Sequence, residues 1–247
     1  MRRPGALLAA MAGLGMVAAC EPSSETPAPA SPPIAQLPAP APAPEAPPAA
    51  SDKIPVGTGF DFYVLSLSWS PSYCEAEGAD ANQQQCKAAR PYAFVVHGLW
   101  PQFEHGFPED CPTGDAKVPD ETVRSLYDLM PSAGLIRHEW KAHGACSGLS
   151  QTNYFGVLRA AREKIAIPEQ FTQLADYLTV APGEVESAFL KANNGMSANG
   201  IAVSCDKRYL REVRICLTKE LGYRPCPEID QRECRLDKAV MPPVRGG

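Results

Sequence analysis

The chain has 247 residues, with nine cysteines, 26 prolines and a formal net charge of -5 at pH 7. That balance excludes a broad basic face of the kind that binds duplex nucleic acid by counterion release, so a polyanion has to be met by a few local side chains. An odd number of cysteines also excludes a scheme in which every thiol is paired within the chain.

Residues 1–20 read as an export signal: Arg2 and Arg3 make a positive start, and Ala6 to Val17 form an apolar run too short to span a bilayer. The junction Val17-Ala18-Ala19-Cys20 is similar to a bacterial lipoprotein signal, in which the cysteine becomes the lipidated first residue. An ordinary signal peptide that happens to hold a cysteine is the competing reading. With Cys20 set aside as a lipid anchor, Cys74, Cys86, Cys111, Cys146, Cys205, Cys216, Cys226 and Cys234 remain, enough for four disulfides in an oxidising compartment. No CxxC pair occurs, which argues against a structural zinc site. Residues 21–55 are dominated by Pro, Ala and Ser, and cannot bury enough surface to offset the entropy of ordering them. They are expected to be an extended tether. Residues 56–247 are then one domain, long enough for a real core.

Within that domain, Phe60 to Trp69 is rich in aromatic and β-branched residues and is expected to be a strand ended by Ser70-Pro71. Tyr92 to His97 is a second strand, left through Gly98, and both are expected at the centre of a sheet. Asp120 to Met130 carries Val123, Leu126, Tyr127 and Met130 at helical spacing, with Asp120 as N-cap and Pro131 as the stop. A short helix is expected over Arg137 to Cys146, another from a Ser150 cap through Ile165, and a third from Pro182 to Asn193. Strands return at Ile201 to Ser204 and Glu212 to Thr218. Strands, then helices, then strands predict an α+β fold, a central antiparallel sheet with helices packed mainly on one side. The basic run Lys207, Arg208, Arg211 and Arg214 is interrupted by Asp206 and Glu212, and is expected to be a solvated strand or turn face.

All four histidines fall between positions 97 and 143, three of them inside HGLWPQ (97–102) and HEWKAHGACSG (138–148). Imidazole titrates near pH ~6.5, so two histidines can hold one neutral base and one charged acid together. His138 and His143 do not make a zinc-protease pair: five positions rotate them by about 140° on a helix, whereas four give about 40°. Glu139 and His143, four apart, share a helix face. If His97 faces them across a cleft, two imidazoles and a carboxylate surround one reacting group, an arrangement suited to phosphoryl transfer without a metal. Trp100 is expected to line a base pocket, with core packing as the alternative; Trp140 is expected in the core. Gln102, Phe103, His105 and Phe107 are further candidates for base preference.

HGLWPQ and HEWKAHGACSG closely resemble the two active-site segments of the ribonuclease T2 family of exported, metal-independent RNases. FYVLSLSWSPSYC at 62–74 is similar to the family's opening strand and PGEVESAFLKANN at 182–194 to a later helix, so the resemblance covers most of 60–234. It implies that His97 and His143 transfer protons, that Glu139 assists at the phosphorus and that His138 holds phosphate. The substrate implied is single-stranded RNA, cleaved by its own 2′-hydroxyl to a 2′,3′-cyclic phosphate and then a 3′-phosphate, with no cofactor. A monomer is expected, exported to the periplasm or outer membrane, or secreted. The resemblance also pairs Cys205 with Cys234, Cys216 with Cys226 and Cys111 with Cys146, which leaves Cys74 and Cys86. One position departs from the pattern. Where the family usually carries a lysine just before the last histidine of its second motif, this chain has Ala142, with Lys141 one residue earlier and about 100° away on a helix. Losing one stabilising donor typically costs ~2.7–4 kcal/mol, unless Lys141, as a phosphate-binding group, or a remote arginine compensates. A catalytically weak RNA-binding module on the same fold is the alternative function.

Overall fold

The alternating stretch after Phe60 becomes strand β1, Phe62–Trp69, and its two faces divide the molecule. Tyr63, Leu65, Leu67 and Trp69 enter the main core, whereas Phe62 and Val64 join a small cluster on the opposite face, where alternation also places Ser66 and Ser68. The computed structural model describes residues 53–87 and 91–244. The signal-like segment, Cys20 and nearly all of the Pro/Ala-rich tether lie outside the described residues.

After β1 the chain makes α1 (Ser70–Glu77) and α2 (Gln83–Cys86), then β2 (Phe94–Gln102), α3 (Asp120–Ser125), α4 (Ala133–Ala142) and α5 (Gln151–Lys164). It continues through β3 (Leu178–Val180), α6 (Pro182–Ala192), β4 (Ile201–Cys205), β5 (Leu210–Leu217), α7 (Pro227–Asp230) and β6 (Ala239–Met241). The four-stranded sheet has the order β2-β1-β5-β4, antiparallel at every step, and β3 pairs with β6 in a separate ribbon. Ile136, Trp140, Tyr154, Leu158, Val185 and Phe189 from α4 to α6 share one core with Leu65, Val96 and Val213 of the sheet. Helices α4 to α6 therefore cover one face, an α+β architecture. The other face keeps a cluster of Phe62, Val64, Ala202, Cys216, Cys226 and Ile229, with Trp100 packed against it.

Disulfides join Cys74 to Cys86, Cys111 to Cys146, Cys205 to Cys234 and Cys216 to Cys226. The second ties the loop after β2 to the turn that follows α4. The last two tie β4 and β5 to the segment around α7.

Three details differ from the sequence expectation. β2 does not end at His97 but runs on to Gln102, and it is an edge strand, not a central one. Pro101 explains both, because proline lacks the N–H that a central strand needs and is tolerated at an edge. The helix expected over Asp120 to Met130 stops at Ser125 and proceeds as turns, and Asp120 is its first residue, with Pro119 in the N-cap position and no side-chain cap bond. Val123, Leu126 and Met130 still reach the core. The helix expected from Arg137 to Cys146 begins earlier, at a Ser132 cap that accepts from Leu135 N at 3.3 Å, and ends at Ala142. The chain leaves the helix at His143 and turns tightly over the core as a 3-10 segment, Gly144–Ser147, where a Cβ on Gly144 would press within 2.5 Å of Trp140 and 2.8 Å of Tyr154. The N-caps expected at Ser150 and the helix expected from Pro182 stand as α5 and α6.

Candidate active site

Two local departures from regular structure bring the histidine segments together. Across the β1–β2 pair, Ser66 faces Gly98 and Leu67 faces Val96, so His97 is the extra residue of a β-bulge. A bulge re-aims the side chain it carries, and here it sends the imidazole of a sheet residue toward α4. At the other segment, His143 has left the helix, with φ -129 and ψ -49, although its N–H still bonds Glu139 O at 3.0 Å. Its ring therefore no longer obeys helical spacing. His138 and His143 come to a centroid separation of 6.5 Å despite the rotation that an unbroken helix would impose.

Trp100 stands between the segments. Its ring centroid is 5.3 Å from that of His97 and 5.5 Å from that of His143, and its Nε1 donates to Glu139 Oε2 at 2.9 Å. Gly98 makes this possible, because a Cβ there would overlap both the Glu139 carboxyl and the Trp100 indole nitrogen. Glu139 is buried, and its other oxygen lies 3.7 Å from His97 Nε2. Trp140 is 2 % exposed and donates to Asp115 O at 2.7 Å, a core residue as expected from sequence.

Three cavities open around these groups. One of about 230 Å³ is lined by Trp100, Gln102, Phe107, His143 and Arg214. A second of about 570 Å³ lies between His138, Lys141, Ala142 and His143 on one side and Phe107 to Asp110 on the other. The third, about 270 Å³, lies beyond His97 and is lined by Ser68, Tyr73, Gln85, Ser132, Arg211 and Glu212. His97, Glu139, His143 and Trp100 thus form one cluster, with His138 and Lys141 beside it. Of the other base-preference candidates, Gln102 and Phe107 line a cavity, whereas Phe103 is exposed and the His105 side chain is 99 % exposed, facing Glu228.

Sequence reasoning missed two residues. Glu212 engages His97 Nδ1, and Arg214 donates to Glu212 Oε2 from Nε at 3.0 Å and Nη2 at 2.7 Å while its guanidinium lies 5.4 Å from the Trp100 ring centre. The basic run expected to be solvated is split: Lys207 and Arg208 are exposed, but Arg211 and Arg214 face these cavities. Alternation of Val213, Ile215 and Leu217 assigns Glu212, Arg214 and Cys216 to the opposite face of the same strand, but it does not say what that face meets.

The surroundings drive the two imidazoles apart. Burial opposes charge on His97, but the hydrogen bond and charge of Glu212, with the charge of Glu139, outweigh it and raise its pKa above the ordinary imidazole value. Burial lowers His143 to about 4, with the nearby His138 and His97 acting in the same direction. Burial also raises Glu139 to about 7, against the pull of His97 and the Trp100 hydrogen bond. Glu212 remains ionised: burial is more than offset by His97 and Arg214, which hold it well below the usual carboxylate range.

Residues 60–226 match the sequence model of the Ribonuclease T2 family. The chain belongs to this family. It is accordingly an endoribonuclease of the T2 type. A protein named Ribonuclease from Aeromonas hydrophila is 36% identical over 165 residues, covering 65% of this chain and 73% of that one. Ribonuclease I of Escherichia coli is 27% identical over 210 residues, covering 67% of this chain and 78% of that one. Among solved structures, an RNase-related protein from Calystegia sepium superposes with a TM-score of 0.61 at 20% identity, over 76% of this chain and all of that chain. RNase NT, solved in complex with 5′-AMP, gives 0.58 at 22% identity, over 75% of this chain and all of that chain. These two establish the shared fold.

The close seat of Glu139 on Gly98 leads to a direct test. Gly98→Ala is expected to push the carboxyl off β2, break the Trp100 hydrogen bond and lower kcat on RNA by at least about tenfold, as small misplacements of reacting groups do. Unchanged kcat in a folded Gly98→Ala protein would show that this contact does not hold the site together.

Proposed function

We propose that this protein cleaves single-stranded RNA without a metal, using His143 as the first base and His97 as the first acid. The observation that carries this reading is that two imidazoles flank one tryptophan ring in surroundings that favour opposite protonation states. Neutral His143 takes the proton of a ribose 2′-hydroxyl, and that oxygen attacks the adjacent phosphorus. Charged His97 gives the proton on Nε2 to the departing 5′-oxygen. The P–O5′ bond breaks and a 2′,3′-cyclic phosphate forms. Water then opens the ring with the two histidines exchanging roles, which leaves a 3′-phosphate. DNA lacks the attacking hydroxyl and is not a substrate.

Glu139, raised to about 7 by burial, assists at a non-bridging phosphoryl oxygen in either state, donating a hydrogen bond when protonated and taking a proton from the phosphorane when ionised. His138 and Lys141, lining the cavity on the far side of His143, hold the phosphate chain there. Trp100 offers a stacking face for a base, worth ~1–3 kcal/mol with little sequence preference. Metal independence is supported by the commitment of the obvious donors, since His97 Nδ1 is engaged by Glu212 and Glu139 Oε2 by Trp100. The four disulfides belong to an oxidising compartment, and with the signal-like start we read the protein as a monomer exported to the periplasm or outer membrane on a lipidated Cys20.

End-group analysis of a short RNA digest tests the chemistry. Cyclic phosphate ends are expected from the wild type with or without EDTA, and neither His97→Ala nor His143→Ala is expected to form them. Full activity in either variant contradicts the mechanism, and gel retardation without cleavage by the wild type favours the binding-module alternative. The pH dependence of kcat/KM follows from the charge states. Activity is expected to rise as His143 loses its proton near pH 4 and to fall as His97 loses its own at a pH above the ordinary imidazole value. A profile with one limb only contradicts the pairing. For the anchor, palmitate labelling is expected in wild-type cells and absent with Cys20→Ala; equal labelling of both removes the lipoprotein reading.

A further inference from the structure

Glu212 is a second carboxylate at His97, and the reaction just described makes no use of it. It sits on β5, next to β1 in the sheet and 8 % exposed. Both of its oxygens are committed. Oε1 engages His97 Nδ1, and Oε2 accepts from Arg214 Nε and Nη2 and from Ser204 Oγ at 3.3 Å. A buried, fully partnered carboxylate of this kind adds little net stability over an apolar residue of similar size, so stability alone does not account for it.

The geometry points to a role. His97 lies between two carboxylates, but only Glu212 is in hydrogen-bond contact with a ring nitrogen, whereas Glu139 stands 3.7 Å from the other. With Nδ1–H given to Glu212, the ring has one tautomer, and Nε2 is the nitrogen left facing Glu139 and the tryptophan. Arg214 donates twice to Oε2 of Glu212 while Oε1 meets Nδ1, so the carboxylate is held at both oxygens and holds the imidazole in turn. We propose that Glu212, clamped by Arg214, is the positioning residue of His97: it accepts the Nδ1 proton, fixes the ring, and reserves Nε2 for the departing oxygen. This rests on the acid role assigned to His97 above. It makes Glu212 and His97 a carboxylate–imidazole pair carried by two strands, β5 and β2, that β1 holds in register.

The charged and titratable groups around the His97 ring are Tyr73 from α1, Glu139 from α4, His143 from the turn after it, and Arg211, Glu212 and Arg214 from β5. Of these, Glu139 and Glu212 favour the imidazolium and Arg214 opposes it. Removing the charge of Glu212 therefore makes His97 lose its proton at lower pH. His143, on the other side of Trp100, is little affected.

The test uses the full-length protein, Glu212→Gln and Glu212→Asp, with a dinucleotide substrate. Glu212→Gln is expected to lower kcat by about a hundredfold, the smaller end of what a positioned proton donor contributes, with KM nearly unchanged. Its alkaline limb of kcat/KM is expected at lower pH and its acid limb unmoved, while Glu212→Asp, which keeps the charge, recovers part of the alkaline shift. Nitrogen NMR of the His97 ring is expected to report Nδ1–H as the neutral tautomer in the wild type. An Nε2–H tautomer in the wild type, or an alkaline limb in Glu212→Gln that coincides with the wild type, overturns the proposal even if the variant has lost stability. If Glu212→Gln does not fold, the wild-type tautomer and the Glu212→Asp profile still decide it. A wild type that shows Nδ1–H but does not cleave RNA sinks the reaction and leaves the pairing standing.

Discussion

The carboxyl of Glu139 rests directly against the backbone of β2 at Gly98, and the rest of the site depends on that contact. It joins the edge of the sheet to the last turn of α4 at a distance that no side chain larger than hydrogen allows. Trp100, two residues along β2, then reaches Glu139 through its indole N–H and lies between the two imidazoles. The bulge at His97 and the helix break at His143 serve the same end, since each releases one histidine from the regular spacing of its element. Behind them stands the helix-covered core. The disulfide from Cys111 to Cys146 holds the turn after His143 against the loop that follows β2.

Chemistry follows from unequal surroundings. One imidazole has a buried anion on Nδ1 that favours its charge, while burial, with the nearby His138 and His97, disfavours charge on the other. A pair of groups pushed apart in this way is suited to the roles of acid and base. Glu139, raised to about 7, can donate or accept, which suits a group beside a phosphorus whose charge changes during the reaction.

Much of this was legible in sequence, and the limits have physical causes. The motifs HGLWPQ and HEWKAHGACSG named His97, Trp100, His138, Glu139 and His143, because residue types with acid–base chemistry are scarce and were crowded into two short segments. Alternation at Phe62–Trp69, the cap at Ser150 and the helix start at Pro182 marked β1, α5 and α6, which frame the site without carrying its residues. Helical-wheel arithmetic assumes an unbroken helix, and α4 ends at Ala142, so it does not fix how the rings of His138 and His143 stand to each other. Placing HGLWPQ at a strand end overlooked that an edge strand tolerates Pro101. Glu212 and Arg214 stayed hidden because a strand's charged face looks the same in sequence whether it meets water or a cleft. Only the order β2-β1-β5-β4 brings that face to His97.

The proposed reaction has the rings of residues 97 and 143 act on one ribose–phosphate linkage. A crystal structure with a uridine 2′,3′-vanadate, which mimics the five-coordinate phosphorus, decides whether they do. The prediction is that His97 Nε2 and a ring nitrogen of His143 both lie within about 3.2 Å of oxygens on the same vanadium. A vanadate reached by only one of the two rings, or seated in a cavity away from Trp100, would contradict it.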